Sequence, residues 1–136
     1  MTITHNMKGP IQQQSLSYNA EVLQVLGACM EVHKKLGHGF LEPVYQEALE
    51  YELTLQGIPF SAQSPVTITY KDKILEKQYI ADFIVFDRII LEIKGLTRFD
   101  PSNIAQVLNY LNATGLPLGL LVNFGSKSLE WKRVVI

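Results

Sequence analysis

The sequence has few of the features that mark secreted, membrane or strongly charged proteins. It contains one cysteine, Cys29, so no disulfide can form within the chain, which suits the reducing cytoplasm. No run approaches the ~18 apolar residues of a membrane span, and the first residues lack the apolar run of a signal peptide. The formal net charge of −1 disfavours a strongly basic nucleic-acid binder, although a local basic patch remains compatible with it. We therefore expect a cytoplasmic protein with no membrane partner.

The length and composition predict one globular domain. The chain has 136 residues, 47% of them hydrophobic, which is enough for a single core. Residues 1–16 are polar and without a periodic pattern, so we expect a flexible N-terminal tail, followed by a single domain over residues 17–136. Cys29 lies among apolar helical positions and is expected to be a core residue rather than a nucleophile.

Two helices are predicted at the start of the domain. Apolar residues recur every three or four positions from Val22 to Leu36, and Gly37-His38-Gly39 ends this first helix. His33 shares that stripe and is expected to pack rather than to act as a ligand. The second helix is expected to face the core through the residues Leu41, Val44, Ala48, Tyr51 and Leu55.

The hydrophobic period then changes from helical spacing to alternation, which predicts strands. The predicted strands are near 66–70, 75–86, 89–94, 118–124 and 129–136, with a helix from Pro101 to Asn112 between the third and the fourth. The order ααβββαββ predicts an α/β fold with a mixed β-sheet flanked by helices. The helix between strands three and four can serve as a crossover, which would make one pair of strands parallel.

Two acids and a lysine interrupt the predicted strands. Asp82, Glu92 and Lys94 need an explanation, because buried charge costs several kcal/mol unless it is paired or bound to a metal. Carboxylate oxygens suit a hard divalent cation, and the carbonyl of Ile93 could be a further ligand. Lys94 would then orient or deprotonate an attacking water, or offset charge on a phosphate. The alternative is a solvated Glu92–Lys94 ion pair with Asp82 paired elsewhere, and it stays open because a D-x9-E-x-K spacing often occurs by chance.

The metal hypothesis restricts the hairpin that joins these strands. Glu92 and Lys94 share a face of the sheet because side chains alternate. Asp82 lies on that face only if even-numbered residues of its strand pair with even-numbered residues of the next strand. A two-residue loop at Asp87-Arg88 would place the Asp82 side chain on the opposite face. The hypothesis therefore requires a loop with an odd number of residues, such as 87–89, or a bulge.

Four further residues are candidates for the same site. Gln106 and Tyr110 are four apart on one helix and share a stripe; alternatively Tyr110 packs on the sheet and Gln106 is solvated. Glu42 could be a third acid near the metal, or a residue favoured at a helix start by the helix dipole. Arg98 is the basic residue best placed to meet a phosphate.

These pieces together resemble a known family. Residues 39–45 read G-x-x-E-x-x-Y, and further matches occur in order at 81–82, 92–94, 106–110 and 120–125. From about Val25 to Val135 the chain resembles the GxxExxY protein family, which is placed in the PD-(D/E)XK nuclease-like superfamily. The resemblance implies a restriction-endonuclease-like core and an Mg²⁺ or Mn²⁺ cofactor. It implies a site formed by Asp82, Glu92, Lys94, the helix acid Glu42, and the pair Gln106 and Tyr110, which matches the Q-x-x-x-Y element of RecB-type nucleases.

The function implied by the resemblance is metal-dependent hydrolysis of phosphodiester bonds, with DNA as the expected nucleic-acid substrate. One departure matters: where many nucleases of the superfamily carry the helix acid, this chain has Gln46, which cannot be negatively charged. The alternative is therefore a catalytically inactive module that binds nucleic acid or a partner protein. A homodimer, and a toxin–antitoxin or defence component acting with another protein, also remain open.

Overall fold

The computed structural model describes residues 2–3 and 10–136, with side chains from residue 18 onward. The elements are β1 (Thr2–Ile3), α1 (Pro10–Leu36), α2 (Glu42–Leu55), β2 (Phe60–Tyr70), β3 (Lys73–Val85), β4 (Ile89–Lys94), α3 (Pro101–Thr114), β5 (Leu118–Asn123) and β6 (Glu130–Val135). After β1, the order is the predicted ααβββαββ. The α/β prediction is confirmed.

The strands form one mixed sheet in the order β1-β6-β5-β4-β3-β2. β4 and β5 are parallel, as expected for two strands joined through a helix, and the other neighbours are antiparallel. Because β4 and β5 are parallel, their carboxyl ends, Lys94 and Asn123, lie side by side at one edge of the sheet. Within the part of the chain that the structure describes, no helix is long and apolar enough to cross a membrane.

The sheet is covered on both faces by helices. One buried cluster joins α1 and α2 to residues such as Phe83, Leu91 and Val122, and the other joins α3 to Ile90 and Leu121. All six residues of β5 are buried, as are the first five of β4. This explains why these strands are nearly continuous apolar runs, and why the two exceptions in them, Glu92 and Asn123, need polar partners inside the fold.

The N-terminal segment differs from the sequence-based expectation. α1 begins at Pro10, so its first residues lie within the segment 1–16 that we expected to be a tail, and Thr2–Ile3 pairs with β6. Proline is favoured at the first position of a helix, and the glutamines that follow have good helix propensity. Residue 1 and residues 4–9 lie outside the described part, so the flexibility of the tail stays a prediction.

The core-facing side of α2 was predicted wrongly. Tyr45, Leu49 and Leu53 are fully buried, whereas Leu41, Tyr51 and Leu55 are 79%, 65% and 61% exposed. Both stripes have helical spacing, and aromatic packing decides between them: the Tyr45 ring stacks on Phe124 at 4.7 Å, and its hydroxyl donates to the Gly37 carbonyl at 2.6 Å. With Tyr45, Leu49 and Leu53 facing the core, α2 presents Gln46 and the residues on the same stripe to β3, the strand that carries Asp82.

Candidate active site

The hairpin register brings Asp82 opposite Glu92. β3 and β4 pair through Val85 with Ile89 and Phe83 with Leu91, and one further step along this register aligns the two acids. Residues 86–88 form a three-residue loop, in which Phe86 and Asp87 have φ values of 55° and 56°. The odd loop that the metal hypothesis requires is therefore present, one residue earlier than the suggested 87–89.

The two acids hold the strands together where the backbone ladder ends. The Glu92 Oε2 accepts a hydrogen bond from the Asp82 backbone N–H at 2.6 Å, and the Asp82 Oδ2 accepts one from the Ile93 N–H at 2.9 Å. The carboxylates thus satisfy backbone donors that the diverging strands would leave unpaired. Glu92 is 2% exposed, while Asp82 is half-buried. Each acid is fixed in place by the strand that carries the other.

Burial raises the pKa of both carboxyls. Burial raises the pKa of Glu92 to about 8, and the negative charge of Asp82 contributes to this rise. Burial also raises the pKa of Asp82, against the Ile93 N–H and Lys94, which lower it; the charge of Glu42 adds to the rise. The buried Glu92, beside the half-buried Asp82, therefore holds a proton near neutral pH. Since this oxygen donor set suits a hard divalent cation, the residues fit Mg²⁺ or Mn²⁺.

Lys94 is held on the α3 side of the acids by a chain of hydrogen bonds. Its Nζ donates to the Gln106 Oε1 at 2.9 Å, and the Gln106 Nε2 donates to the Tyr110 hydroxyl at 3.2 Å. Tyr110 is buried and its ring lies 5.1 Å from that of Tyr79. The four-residue spacing therefore brings Gln106 to Lys94, and Tyr110 both packs on the sheet and anchors Gln106. A solvated Gln106 was the wrong alternative.

The alternative of a solvated Glu92–Lys94 pair is also wrong. Glu92 is buried, and among residues 18–136 the one ion pair joins Arg88 to Glu21, with 3.5 Å between Nε and Oε1. The acid is therefore placed in the interior next to a second acid, at a cost in stability that a surface ion pair would not carry.

On the other side, α2 presents a polar stripe to a pocket of about 530 Å³. Glu42, Gln46 and Glu50 lie on this stripe, and Asp82 and Ile93 line the opposite wall. The Gln46 Nε2 lies 3.3 Å from the Asp82 carbonyl oxygen and 3.1 Å from the Glu50 Oε2, and it donates to both. Gln46 thus binds the backbone of the strand that carries Asp82, which its neutral amide can do and a carboxylate could not.

Glu42 lies beside the acid pair without joining it. It is the first residue of α2, and its Cγ is 3.4 Å from the point where a Cβ on Gly95 would lie. Its charge reaches Asp82, whose pKa it raises. Across the described residues, no group of three or more His, Cys, Asp or Glu side chains is arranged to hold a metal. A role for Glu42 as third acid stays a prediction.

Two other residues have the structural environment that the sequence predicts. Cys29 is fully buried, and burial raises its pKa to about 12, so the thiol is a core group and a poor nucleophile. The His33 Nε2 lies 2.9 Å from the Ser126 carbonyl oxygen, and its ring packs near Phe124. Arg98 is exposed on the segment that follows β4.

The sequence analysis missed the residues that fix this segment. The Asn123 side chain is buried; it accepts from the Leu96 and Gly125 N–H groups at 2.8 and 3.0 Å and donates to the Leu96 carbonyl at 2.8 Å. A Cβ on Gly125 would lie 2.3 Å from the Leu96 carbonyl oxygen, so only glycine fits there. A polar residue at the end of an apolar strand, followed two positions later by glycine, is the signal that could have revealed them.

Comparisons with known proteins identify the family. Neither the curated proteins nor the solved structures contain a match to the chain. The family model of the PD-(D/E)XK nuclease superfamily matches residues 19–134, and the α/β fold with its mixed sheet is consistent with a restriction-endonuclease-like domain. The narrower GxxExxY assignment stays a prediction. Because the match covers most of the chain, this protein belongs to the PD-(D/E)XK nuclease superfamily.

Proposed function

We propose that the protein is a metal-dependent nuclease that hydrolyses phosphodiester bonds, with DNA as the expected substrate. The observation that carries this proposal is the pair Asp82 and Glu92, two adjacent acids with raised pKa values, beside a lysine held by Gln106. Nucleases of this superfamily generally use divalent metal ions, which gives the acid pair a function that justifies its cost.

In this mechanism the Asp82 and Glu92 carboxylates and the Ile93 carbonyl would hold Mg²⁺ or Mn²⁺. When bound, such an ion polarises a phosphate oxygen and makes water a better nucleophile at neutral pH. The Lys94 ammonium holds the attacking water, or offsets the charge that develops on the phosphate. Gln106 keeps the Lys94 Nζ in place, and Tyr110 keeps Gln106 in place, so both act as positioning residues.

Cleavage of DNA by defined variants tests this proposal. The purified protein is incubated with single- and double-stranded DNA in Mg²⁺ or Mn²⁺, in parallel with Asp82→Ala and Lys94→Ala. Lys77→Ala, which removes a lysine from an exposed position of β3, is the matched control. We expect cleavage by the wild type and the control and none by the two site variants. Cleavage that survives both site substitutions contradicts the proposal, because it would come from another site or a contaminant.

A binding module without turnover is the second candidate function. Gln46 favours it, because it stands where many nucleases of the superfamily carry an acid and it is hydrogen-bonded to the Asp82 carbonyl instead. Calorimetry with Mn²⁺, with and without DNA, separates the two functions. Absence of metal affinity in both titrations would favour the module, whereas binding that Asp82→Ala removes would favour the nuclease.

The cytoplasmic location of the protein stays a prediction. The single cysteine suits the cytoplasm, but it does not identify a pathway. A homodimer, a partner protein or a role in a toxin–antitoxin or defence system remains open. RNA is tested as a substrate beside DNA in the same cleavage assay.

A further inference from the structure

A groove runs between α3 and the hairpin formed by β2 and β3. Its volume is about 440 Å³, and it is lined by Ile68, Thr69, Tyr79, Asn109, Asn112 and Ala113. Val66 pairs with Tyr79, and both Val66 and Ile68 pack into the cluster under α3. The Tyr79 ring lies 5.1 Å from the ring of Tyr110 on α3. This face of the hairpin therefore lies against α3, and the groove has one wall from each.

The groove lies next to the candidate active site. The Lys94 Nζ donates to the Gln106 Oε1 at 2.9 Å, and the Gln106 Nε2 donates to the Tyr110 hydroxyl at 3.2 Å. The Tyr110 ring in turn contacts Tyr79. Along β3, Tyr79 is three residues from Asp82, which is roughly 10 Å at ~3.3 Å per residue. A nucleic-acid strand with a phosphate at Asp82 and Lys94 would therefore place a neighbouring nucleotide at the groove.

The charges on the two sides of the acid pair determine the path of such a strand. On the α2 side, three glutamates line the pocket beside the pair: Glu42, Glu47 and Glu50. Their negative charges repel phosphates. By contrast, α3 contains no charged residue from Pro101 to Thr114. A strand bound at the site therefore leaves it over α3, where the groove lies, rather than along α2.

The lining of the groove suits a flat, uncharged ring. None of the six lining residues is charged, so the groove has no cation to attract a phosphate. The Tyr79 side chain remains 45% exposed although its ring contacts Tyr110, so part of the ring is accessible. Asn109 is exposed, and its amide offers both donors and an acceptor. An aromatic ring beside an amide can bind a nucleobase by its face and its edge.

We propose that this groove holds an unpaired nucleobase of the substrate strand, adjacent to the scissile phosphate. The base stacks on the Tyr79 ring, and its edge forms hydrogen bonds with the Asn109 amide. Stacking of this kind tolerates any base, because every base has a π-face. In a duplex the bases are already paired and stacked on one another. The base site rests on the proposed nucleic-acid substrate and narrows it to single strands and frayed ends.

Binding of a single strand tests the stacking on Tyr79. The full-length protein is titrated into labelled oligothymidine of ~10 nucleotides, a length within the ~4–16-nucleotide sites of single-strand binding modules. Anisotropy is measured in Ca²⁺, which also binds carboxylates but without the octahedral geometry of Mg²⁺, and the oligonucleotide is checked for cleavage afterwards. Tyr79→Ala should weaken binding roughly 5- to 100-fold. Tyr79→Phe should keep the wild-type affinity, because stacking requires the ring and not the hydroxyl.

Tyr70→Ala is the matched control, because it removes a tyrosine that is 62% exposed at the end of β2. It should keep the wild-type affinity. Unchanged binding by Tyr79→Ala, or an equal loss in Tyr79→Phe, would overturn the proposal.

Two further measurements decide the question if Tyr79→Ala does not fold. Asn109→Ala, at an exposed helix position, should weaken binding of oligothymidine roughly 2- to 10-fold through the lost hydrogen bond. The wild type should bind the single strand more tightly than a duplex of the same length. Wild-type affinity in Asn109→Ala together with equal affinity for the duplex would refute the base site.

The outcomes distinguish the base site from the nuclease proposal. Unchanged binding by Tyr79→Ala, with DNA cleavage intact in Mg²⁺ or Mn²⁺, refutes the base site and leaves the nuclease proposal standing. Binding that Tyr79→Ala weakens, in a protein that cleaves nothing, supports the base site and favours the binding module. A wild type that binds no single strand refutes the base site, and the cleavage assay then decides separately on the nuclease.

Discussion

Replacement of Glu92 by glutamine should stabilise the metal-free protein, and increasingly so as the pH rises. Glu92 is buried beside Asp82, and its pKa is raised from 4.5 to about 8. The folded protein therefore holds a proton on Glu92 over a pH range in which the unfolded chain has released it. Between these two pH values, stability falls as the pH rises, because folding then requires uptake of a proton. Above about 8 the loss is complete.

The magnitude follows from the same two values. Each pH unit between 4.5 and about 8 removes ~1.4 kcal/mol, so the full loss is roughly 5 kcal/mol, with roughly 3 kcal/mol of it present at pH 7. Glutamine is neutral at every pH, and its amide oxygen can still accept from the Asp82 N–H. We therefore expect Glu92→Gln to be more stable than the wild type by a few kcal/mol at pH 7, and by less than about 1 kcal/mol near pH 5.

Urea denaturation in EDTA at about pH 5, 7 and 8 measures this difference. Glu76→Gln, at an exposed position of β3, is the control for loss of one negative charge. Addition of Mn²⁺ should stabilise the wild type and leave Glu92→Gln unchanged. A variant that is less stable than the wild type by the same amount at every pH would contradict the raised pKa of Glu92, because Glu92 would then stabilise the fold through its hydrogen bond alone.

Three other substitutions test residues around the acid pair and the segment after β4. Gln106→Ala should lower the cleavage rate about 100-fold at an unchanged KM, because the Lys94 ammonium loses its positioning partner; a wild-type rate would remove Gln106 from the site. If Glu42 is a third acid, Glu42→Gln should raise the melting temperature without metal and weaken the stabilisation by Mn²⁺. If Glu42 only interacts with the helix dipole, the same substitution should lower the free energy of unfolding by ~0.3–1 kcal/mol and leave the stabilisation by Mn²⁺ unchanged. Gly125→Ala should destabilise the fold by ~1–3 kcal/mol, because its Cβ would lie 2.3 Å from the Leu96 carbonyl oxygen; an unchanged melting temperature would contradict this.

The order of the elements could be predicted from the sequence, because hydrophobic periodicity distinguishes helices from strands. The stripe of α2 that faces the core could not be predicted, since both apolar stripes have helical spacing. Only the contact of Tyr45 with Phe124 decides between them. The short strand Thr2–Ile3 is also beyond prediction, because two residues carry no period and owe their pairing to β6.

Some features of the candidate site could also be predicted from the sequence, and others could not. The requirement that Asp82 align with Glu92 followed from strand alternation alone, and the three-residue loop meets it. The exchange of hydrogen bonds between each acid and the opposite strand could not be foreseen, because it depends on where the ladder between β3 and β4 ends. Nor could the position of Glu42, beside rather than within the pair, since this depends on how α2 meets the segment after β4.

The proposed reaction depends on a divalent cation bound between Asp82 and Glu92. A crystal of the protein soaked in Mn²⁺, with anomalous differences measured at the manganese edge, tests for this ion. We predict one strong peak within ~2.0–2.4 Å of carboxylate oxygens of both acids, with the Ile93 carbonyl as a further ligand. We also predict that the peak is lost in Asp82→Ala. A crystal without a peak at this position, from a preparation that cleaves DNA in Mn²⁺, would contradict the proposed cation site.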